Sequence, residues 1–440
     1  MKPTDVRIVS LETRMDEFRY RTPIKFGGVA LDRVTMLEVA LTVESRQGTV
    51  ARGVSSMPLG NVWAWPSKTM PYETTLAAMK AFASTVSQAY LADRTVGHPI
   101  EITHAVEPIA FQGHAEIPDL AKLVVMSPFD AALHDAFGKS LGLSCYRTYG
   151  PDFLSPDLGH FLGAEFAGES LDRYVSESPQ ATMPLYHLVG ALDPLTPGDV
   201  KEPVGDGLPE TLIDWIHRDG LTHLKIKLNG DDLGWDRDRV LAVNRIAEDI
   251  DPARAWHYSL DFNERCRDVA YLLEFLRQLQ DASPRASGRV QYIEQPTARD
   301  LKANPANRMH EAAALKPVVI DESLTDLESL RLAREMGYTG VAFKACKGQS
   351  QSLLLAAAAQ KAGLFRCVQD LTCPGASLIH SAGLAAHIPG VAAIEANSRQ
   401  YCPVANAGWD ERFPGLFTIR NGVMKTGQLT GAGLSNTEQK

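Results

Sequence analysis

Eight short apolar runs, separated by helical stretches and mostly ending on a charged residue, constrain this chain more than any other feature. They are LYHLV at 185–189, HLKIKL at 223–228, HYSLD at 257–261, VQYIE at 290–294, PVVID at 317–321, GVAFK at 340–344, RCVQD at 366–370 and VAAIE at 391–395. Runs of this length read as buried strands, and strands alternating with helices build a parallel sheet. In DRDRVLAVNRIAEDI, Val240, Val243, Ala247 and Ile250 share one helix face. Thr325 and Glu328 have capping-box spacing at the start of LESLRLAREM, with Gly337 past its end, and SQSLLLAAAAQKAG runs from a Ser350 cap to Gly363. Eight such units predict a closed α/β barrel of the (β/α)8 kind. An open doubly wound sheet is the competing fold, but no GxGxxG follows a strand.

The chain before these runs has a different pattern. VRIVSLETRM and RVTMLEVALTVES alternate apolar and polar residues as half-buried strands do, Gly27-Gly28 and Gln47-Gly48 read as turns, and TTLAAMKAFASTVSQAYL is helical. SPFDAALHDAFGKSLG reads as a helix with Ser127 as its N-cap and Gly138 or Gly142 near its end. Residues 151–182 read as a loop or insertion. Three regions follow: an N-terminal α+β domain over 1–126, the barrel over 127–400, and a tail over 401–440 that leaves the barrel and packs on the N-terminal domain.

In a parallel barrel the active site lies at the carboxyl ends of the strands. Those ends carry Lys225 and Lys227, Asp261 and Asn263, Glu294, Asp321 and Glu322, Lys344, Asp370 and Glu395. So many charges are costly to bury unless they pair or hold an ion. Asp261, Glu294 and Asp321 come from consecutive strands, and such hard oxygen ligands suit Mg²⁺. A single acid of this kind is ordinarily a solvated loop residue; three in succession beside lysines are not. Lys225 and Lys227, two apart on one strand, point to the same face. Neighbouring positive charge would lower a lysine's pKa toward the range a base needs. Lys344 stands across the cluster, whereas Lys347 reads as a loop residue facing a phosphate or solvent. Glu395 is expected to hydrogen-bond the substrate or to be structural; His134 and Asp135 read as structural.

Together these motifs resemble the enolase superfamily, in its mandelate racemase and muconate lactonizing enzyme branch. KIK at 225–227, DFNE at 261–264, IEQP at 293–296, IDES at 320–323 and FKACKG at 343–348 match that branch in order. YRTPIKFGG is similar to the loop that closes over substrate, SPFDAALHDAFGKSLG to the helix that opens the barrel, and TGAGL at 430–434 to the closing segment. The resemblance implies a modified TIM barrel under an N-terminal α+β capping domain. It implies Asp261, Glu294 and Asp321 as Mg²⁺ ligands, Lys227 and Lys344 as acid/base groups on opposite substrate faces, and Lys225 as the residue that tunes Lys227. The lysines lie nearer the muconate lactonizing type, since RCVQD offers no catalytic histidine. Asn263, Glu395, Lys25 and Trp65 are expected at the substrate; Trp63 and Phe26 join the lid or form an ordinary domain interface. Two features depart from the branch: residues 151–205 are longer than its usual link, and KACKGQS lacks its paired glycines.

The expected chemistry is removal of the α-proton of a carboxylate through an enediolate, ending in racemisation or epimerisation, cycloisomerisation, or dehydration. The enzyme is then an isomerase or a lyase. A Schiff-base lysine aldolase is the rival enzyme, but it needs no metal and leaves the acid triad unexplained. A non-catalytic binding protein on the same fold is the other alternative. The net charge of −9 argues against a broad nucleic-acid surface. No run resembles a signal peptide or a membrane span. The six cysteines form no CxxC pair and read as reduced, buried thiols, as in a cytoplasmic protein. The expected partners are a small-molecule carboxylate and further copies of the chain in a homo-oligomer, with no nucleic acid and no membrane.

Overall fold

The computed structural model describes residues 2–26 and 29–435; the expected Gly27-Gly28 turn lies outside them. Three antiparallel strands begin the chain: β1 (Val6–Phe26), β2 (Val29–Ser45) and β3 (Val50–Pro58). Alternate β2 residues Leu37, Val39, Leu41 and Val43 are buried, the one-sided pattern of a sheet laid on a core. Four helices follow: α1 (Asn61–Ala64), α2 (Tyr72–Ala92), α3 (Pro99–Phe111) and α4 (Asp119–Leu141).

Helix α4 is buried along nearly its whole length, because it is wedged between the N-terminal sheet and the barrel. It starts well before Ser127, so Ser127 is not its cap. Instead Ser127 Oγ donates to the Val124 carbonyl at 2.8 Å. That carbonyl is the one left without an N–H by Pro128 inside the helix. The helix therefore runs unbroken through the expected boundary at 126/127 and ends at Gly142, whose φ of 66° suits glycine. Asp130 accepts from the Ser350 amide (2.8 Å) and hydroxyl (2.6 Å) on the barrel side. Asp135 accepts from the Val54 amide (2.9 Å) and the Leu434 amide (2.9 Å) on the other.

The barrel strands are β4 (Met183–Val189), β5 (His223–Lys227), β6 (His257–Asp261), β7 (Val290–Glu294), β8 (Val318–Ile320), β9 (Gly340–Lys344), β10 (Phe365–Gln369) and β11 (Val391–Glu395). They pair in parallel in this order, and β11 closes on β4. A short β12 (Val423–Met424) adds antiparallel to the start of β4. The tail then passes along α4, where the Cys145 amide donates to the Gly433 carbonyl (2.8 Å). Some helix starts differ from expectation. Asp326 with Ser329, not Thr325 with Glu328, forms the capping box of the helix Leu327–Glu335. The helix Gln349–Lys361 begins after Gly348, one residue before Ser350. Residues 151–182 contain a short helix, Leu158–Leu162, and two 3-10 turns. All six cysteines are free and buried. Among the described residues no helix is long and apolar enough to cross a membrane.

Strand alternation sets the barrel interior. Tyr186, Tyr292, Val319, Ala342, Cys367 and Ala393 form one apolar plug. Two residues further along the same strands, on the same face, stand Leu188, Glu294, Asp321, Lys344, Gln369 and Glu395. The plug is the floor of the site, and a ring that is polar except for Leu188 is built directly upon it.

Candidate active site

Strand register places the ring. Lys227 pairs with Asp261, and Asp261 with Glu294, so the three groups stand side by side on consecutive strands. Lys225 Nζ lies 2.9 Å from Glu294, 2.9 Å from Glu395 and 3.1 Å from Asp261. Lys227 donates to Asp261. Across the barrel, Lys344 Nζ lies 2.8 Å from Asp321 Oδ2. Lys347, expected toward solvent or a phosphate, is buried; its ammonium donates to the Asp321 carbonyl at 2.6 Å and to its Oδ1 at 3.2 Å. A 3-10 turn at Ala345–Lys347 brings it back under the strand end.

Charge is the dominant physical fact of the site. Six carboxylates (Asp261, Glu294, Asp321, Glu322, Asp370 and Glu395) are each at most 5% exposed, against four buried lysines, 225, 227, 344 and 347. Counted as fully ionised, the acids outnumber the ammonium groups by two, an excess that protons on the most strongly raised acids or a bound cation can offset. Among the described residues no three acids converge on one point as they stand, because lysine ammonium groups sit between them.

The acids respond accordingly. Burial, with repulsion from Asp261, pushes Glu294 well above the usual carboxylate range. Burial and Asp321 push Glu322 up to about 8, and burial and Glu395 push Asp370 up to about 7. At Asp261 and Asp321 burial is outweighed by the adjacent lysines, which hold both below the usual value. At Lys225 and Lys344 burial is likewise outweighed, by Glu294 and Asp321 respectively, and both ammonium groups are held charged. Lys347 is lowered, chiefly by burial.

Hydrogen bonds from neighbouring groups orient the ring. The Asn263 amide donates to Asp261 Oδ1 at 2.8 Å; Asn263 does this through its backbone, in a turn with φ of 47°. Gln295 Oε1 accepts from the Asp321 amide (3.0 Å) and the Ser323 amide (3.3 Å). Gln369 donates to Glu294 and, at 3.1 Å, to the Tyr292 hydroxyl. Asn397 donates to Glu395 Oε1 at 3.0 Å.

The N-terminal domain reaches the ring through Trp63. Its indole N–H donates to Glu322 Oε1 at 2.9 Å, and its ring centroid lies 4.2 Å from Lys344 Nζ. Arg299 clamps the Trp63 carbonyl (3.0 Å) while holding Glu264. Trp65, two residues on, is packed in the apolar core. Lys25 is half-buried near the end of β1, opposite Ala30 of β2.

Gln369 was not singled out from sequence, although it shares a face with Lys344, its register partner. The end of the RCVQD run points to Asp370. The inward residue is one earlier, and a one-residue shift flips a strand's faces. Asp370 instead accepts backbone amides of Thr372 (3.2 Å), Cys373 (3.3 Å) and Asn397 (3.1 Å). Alternation from Cys367 was the available signal.

The family model for the enolase C-terminal domain-like family matches residues 208–440. Muconate cycloisomerase 1 of Rhodococcus opacus is 26% identical over 375 residues, covering 82% of this chain and 79% of that protein. Among solved structures, a mandelate racemase/muconate lactonizing protein from Herpetosiphon aurantiacus aligns with a TM-score of 0.67 at 19% identity over 100% of both chains. A dipeptide epimerase from Enterococcus faecalis V583, complexed with Mg and the dipeptide L-Leu-L-Tyr, aligns with a TM-score of 0.66 at 16% identity, covering 97% of this chain and 99% of that one. With its capped eight-stranded barrel and its ordered ring of lysines and carboxylates, the chain belongs to the enolase superfamily, in the mandelate racemase and muconate lactonizing enzyme branch.

Proposed function

We propose that this protein is an isomerase that removes the α-proton of a small carboxylate, with Lys227 and Lys344 as the two acid/base groups. One observation carries the reading: the two lysines end the second and sixth strands of the closed barrel, hence opposite sides of the ring, with Asp261, Glu294 and Asp321 on the strands between. A substrate α-carbon above the plug would then present one face to each lysine. The clustered strand-end carboxylates fit a divalent cation, and oxygen-only donors fit Mg²⁺. Asp261, Glu294 and Asp321 would hold the Mg²⁺, which would supply stabilisation of the charge that develops on the substrate carboxylate.

The remaining roles belong to side chains already in place. Lys225, held by three carboxylates, keeps a fixed positive charge beside Lys227. Lys227 or Lys344 takes the proton; for racemisation or epimerisation the opposite lysine returns one. Glu395 and Asn263 would position the substrate. Trp63 closes the ring from above and excludes water, and Lys25 and Trp65 act on substrate choice from the capping domain. The Rhodococcus cycloisomerase and the Mg-bound epimerase support an isomerase reading.

The test is α-proton exchange in D₂O with Mg²⁺, read by NMR over N-acyl amino acids, dipeptides and acid sugars. Lys227→Ala should abolish exchange for one configuration and Lys344→Ala for the other. Each loss should be roughly 10²–10⁴-fold, the usual contribution of a positioned acid or base. Wild-type exchange of both configurations in both variants would refute the reading.

A further inference from the structure

A cavity of about 160 Å³ lies outside the catalytic ring, between α3, α4, the helix Leu158–Leu162 and the helix Gln349–Lys361. None of the six ring carboxylates lines it; of the ring's charged groups only Lys347 borders it. Its walls are apolar: Ile100, Leu123 and Met126 come from α3 and α4, Phe161 and Leu162 from the link after α4, and Leu354 from the barrel side. An apolar cavity of about 150 Å³ holds one benzene, so the space suits a six-carbon body.

The wall made by the link is fixed by contacts of its own. Asp157 accepts from the His160 amide at 3.3 Å and so caps the helix Leu158–Leu162. Arg331 donates to the Leu162 carbonyl at 3.1 Å and to Glu165 at 2.8 Å, and Gln360 donates to the Tyr174 carbonyl at 2.8 Å. These bonds fasten the link to the outer helices of the barrel.

One group in this apolar space has no counterpart. Glu107 of α3 lines the cavity and is partly buried. Among the described residues no cation or hydrogen-bond donor meets its carboxylate. Burial, then repulsion from Asp130, Asp326 and Asp119, pushes it up to about 7. The neighbouring polar groups are already paired. Asp130 accepts from the Thr103 hydroxyl (2.9 Å) and from the hydroxyl and amide of Ser350 (2.6 and 2.8 Å). The Lys347 ammonium is turned away, onto Asp321. His104, on the exposed edge, is lowered by burial and by His160, and so brings no positive charge at neutral pH. An acid set among apolar walls without a cation carries a desolvation cost that a bound cation would relieve. Phe161 adds an aromatic ring, whose face attracts a cation.

We propose that this cavity is a second small-molecule site, separate from the catalytic ring, for an organic ammonium ion with a compact apolar body. The ammonium meets Glu107 and the ring of Phe161, and the apolar body lies along Leu123, Met126 and Leu354. Neutral or anionic molecules of the same shape leave Glu107 without a counter-charge and bind less tightly.

The probe is benzylammonium, with benzyl alcohol and benzoate as controls, titrated into the full-length protein with Mg²⁺ and followed by calorimetry. Benzylammonium should bind at least tenfold more tightly than either control. Glu107→Gln keeps the shape of a partly exposed side chain while removing its charge, and should weaken benzylammonium binding at least tenfold. Leu354→Trp, at a partly exposed wall position, should fill the cavity and weaken binding as much. Lys227→Ala should leave it unchanged. Equal binding of benzylammonium and benzyl alcohol, or undiminished binding in Glu107→Gln, would overturn the proposal. So would loss of binding in Lys227→Ala, which would place the amine in the ring.

Discussion

Replacing Lys225 with methionine tests the charge balance of the ring most directly. The substitution keeps most of the side chain's length and volume but removes the ammonium shared by Asp261, Glu294 and Glu395. Six buried carboxylates would then face only three buried lysines. Removing one partner from a buried ion pair costs ~3–5 kcal/mol, because the remaining charge is stranded. Unfolding entropy of about 2.1 cal/mol/K per residue makes the melting midpoint of a chain this long fall by roughly 1 °C per kcal/mol, so the expected drop is about 3–5 °C. Calorimetry near neutral pH reads it. Adding Glu395→Gln to Lys225→Met removes one stranded charge, and the double variant should recover about 1–3 kcal/mol relative to additivity. Saturating Mg²⁺ should raise the midpoint of Lys225→Met by more than that of the unaltered protein, since the variant carries the larger negative excess. An unchanged midpoint in Lys225→Met, or strict additivity of the two substitutions, would refute the assignment of Lys225 as the neutralising centre.

Trp63→Phe removes the N–H that meets Glu322 and leaves a buried acceptor unsatisfied, at a cost of about 1–3 kcal/mol; Trp63→Leu also removes the ring beside Lys344, about 2 kcal/mol more. Stereospecific exchange should fall on the Lys344 side in both, further in Trp63→Leu, and equal behaviour of the two variants would remove the ring–ammonium contact from the account. Gly53→Ala would set a Cβ 2.1 Å from the Ala132 carbonyl oxygen and 2.3 Å from the Ala136 amide nitrogen, so β3 must lift from α4; a loss of at least about 1–3 kcal/mol in urea unfolding is expected, and a neutral result would mean that the interface yields. Burial lowers His380 from 6.5 to about 4, so between those pH values the unfolded chain binds a proton that the folded one refuses. Its contribution is present above pH 6.5 and lost as pH falls, about 3 kcal/mol by pH 4. The midpoint of His380→Gln should therefore fall less steeply than wild type over that window, and parallel curves would contradict this.

The residues themselves announced the barrel. Eight apolar runs spaced by helical periodicity have few ways to bury their surfaces, and the observed strands match those runs to within two residues at either end. Alternation also made the same-face placement of Lys225 and Lys227 legible, since period two is a local property of a strand. Helix starts were less legible. Ser127 looks like a cap, yet α4 runs through it because burial against two layers outweighs a local signal. Three things needed the folded chain. Gln369 rather than Asp370 joins the ring, because register depends on neighbouring strands and not on where an apolar run ends. Trp63 rather than Trp65 reaches Glu322, because that choice depends on how α1 docks across more than two hundred residues of sequence separation. Lys347 turns inward beside Asp321, because one 3-10 turn reverses its direction. Local periodicity can be read along the chain; which side chains meet from distant segments is decided only when packing fixes the segments against one another.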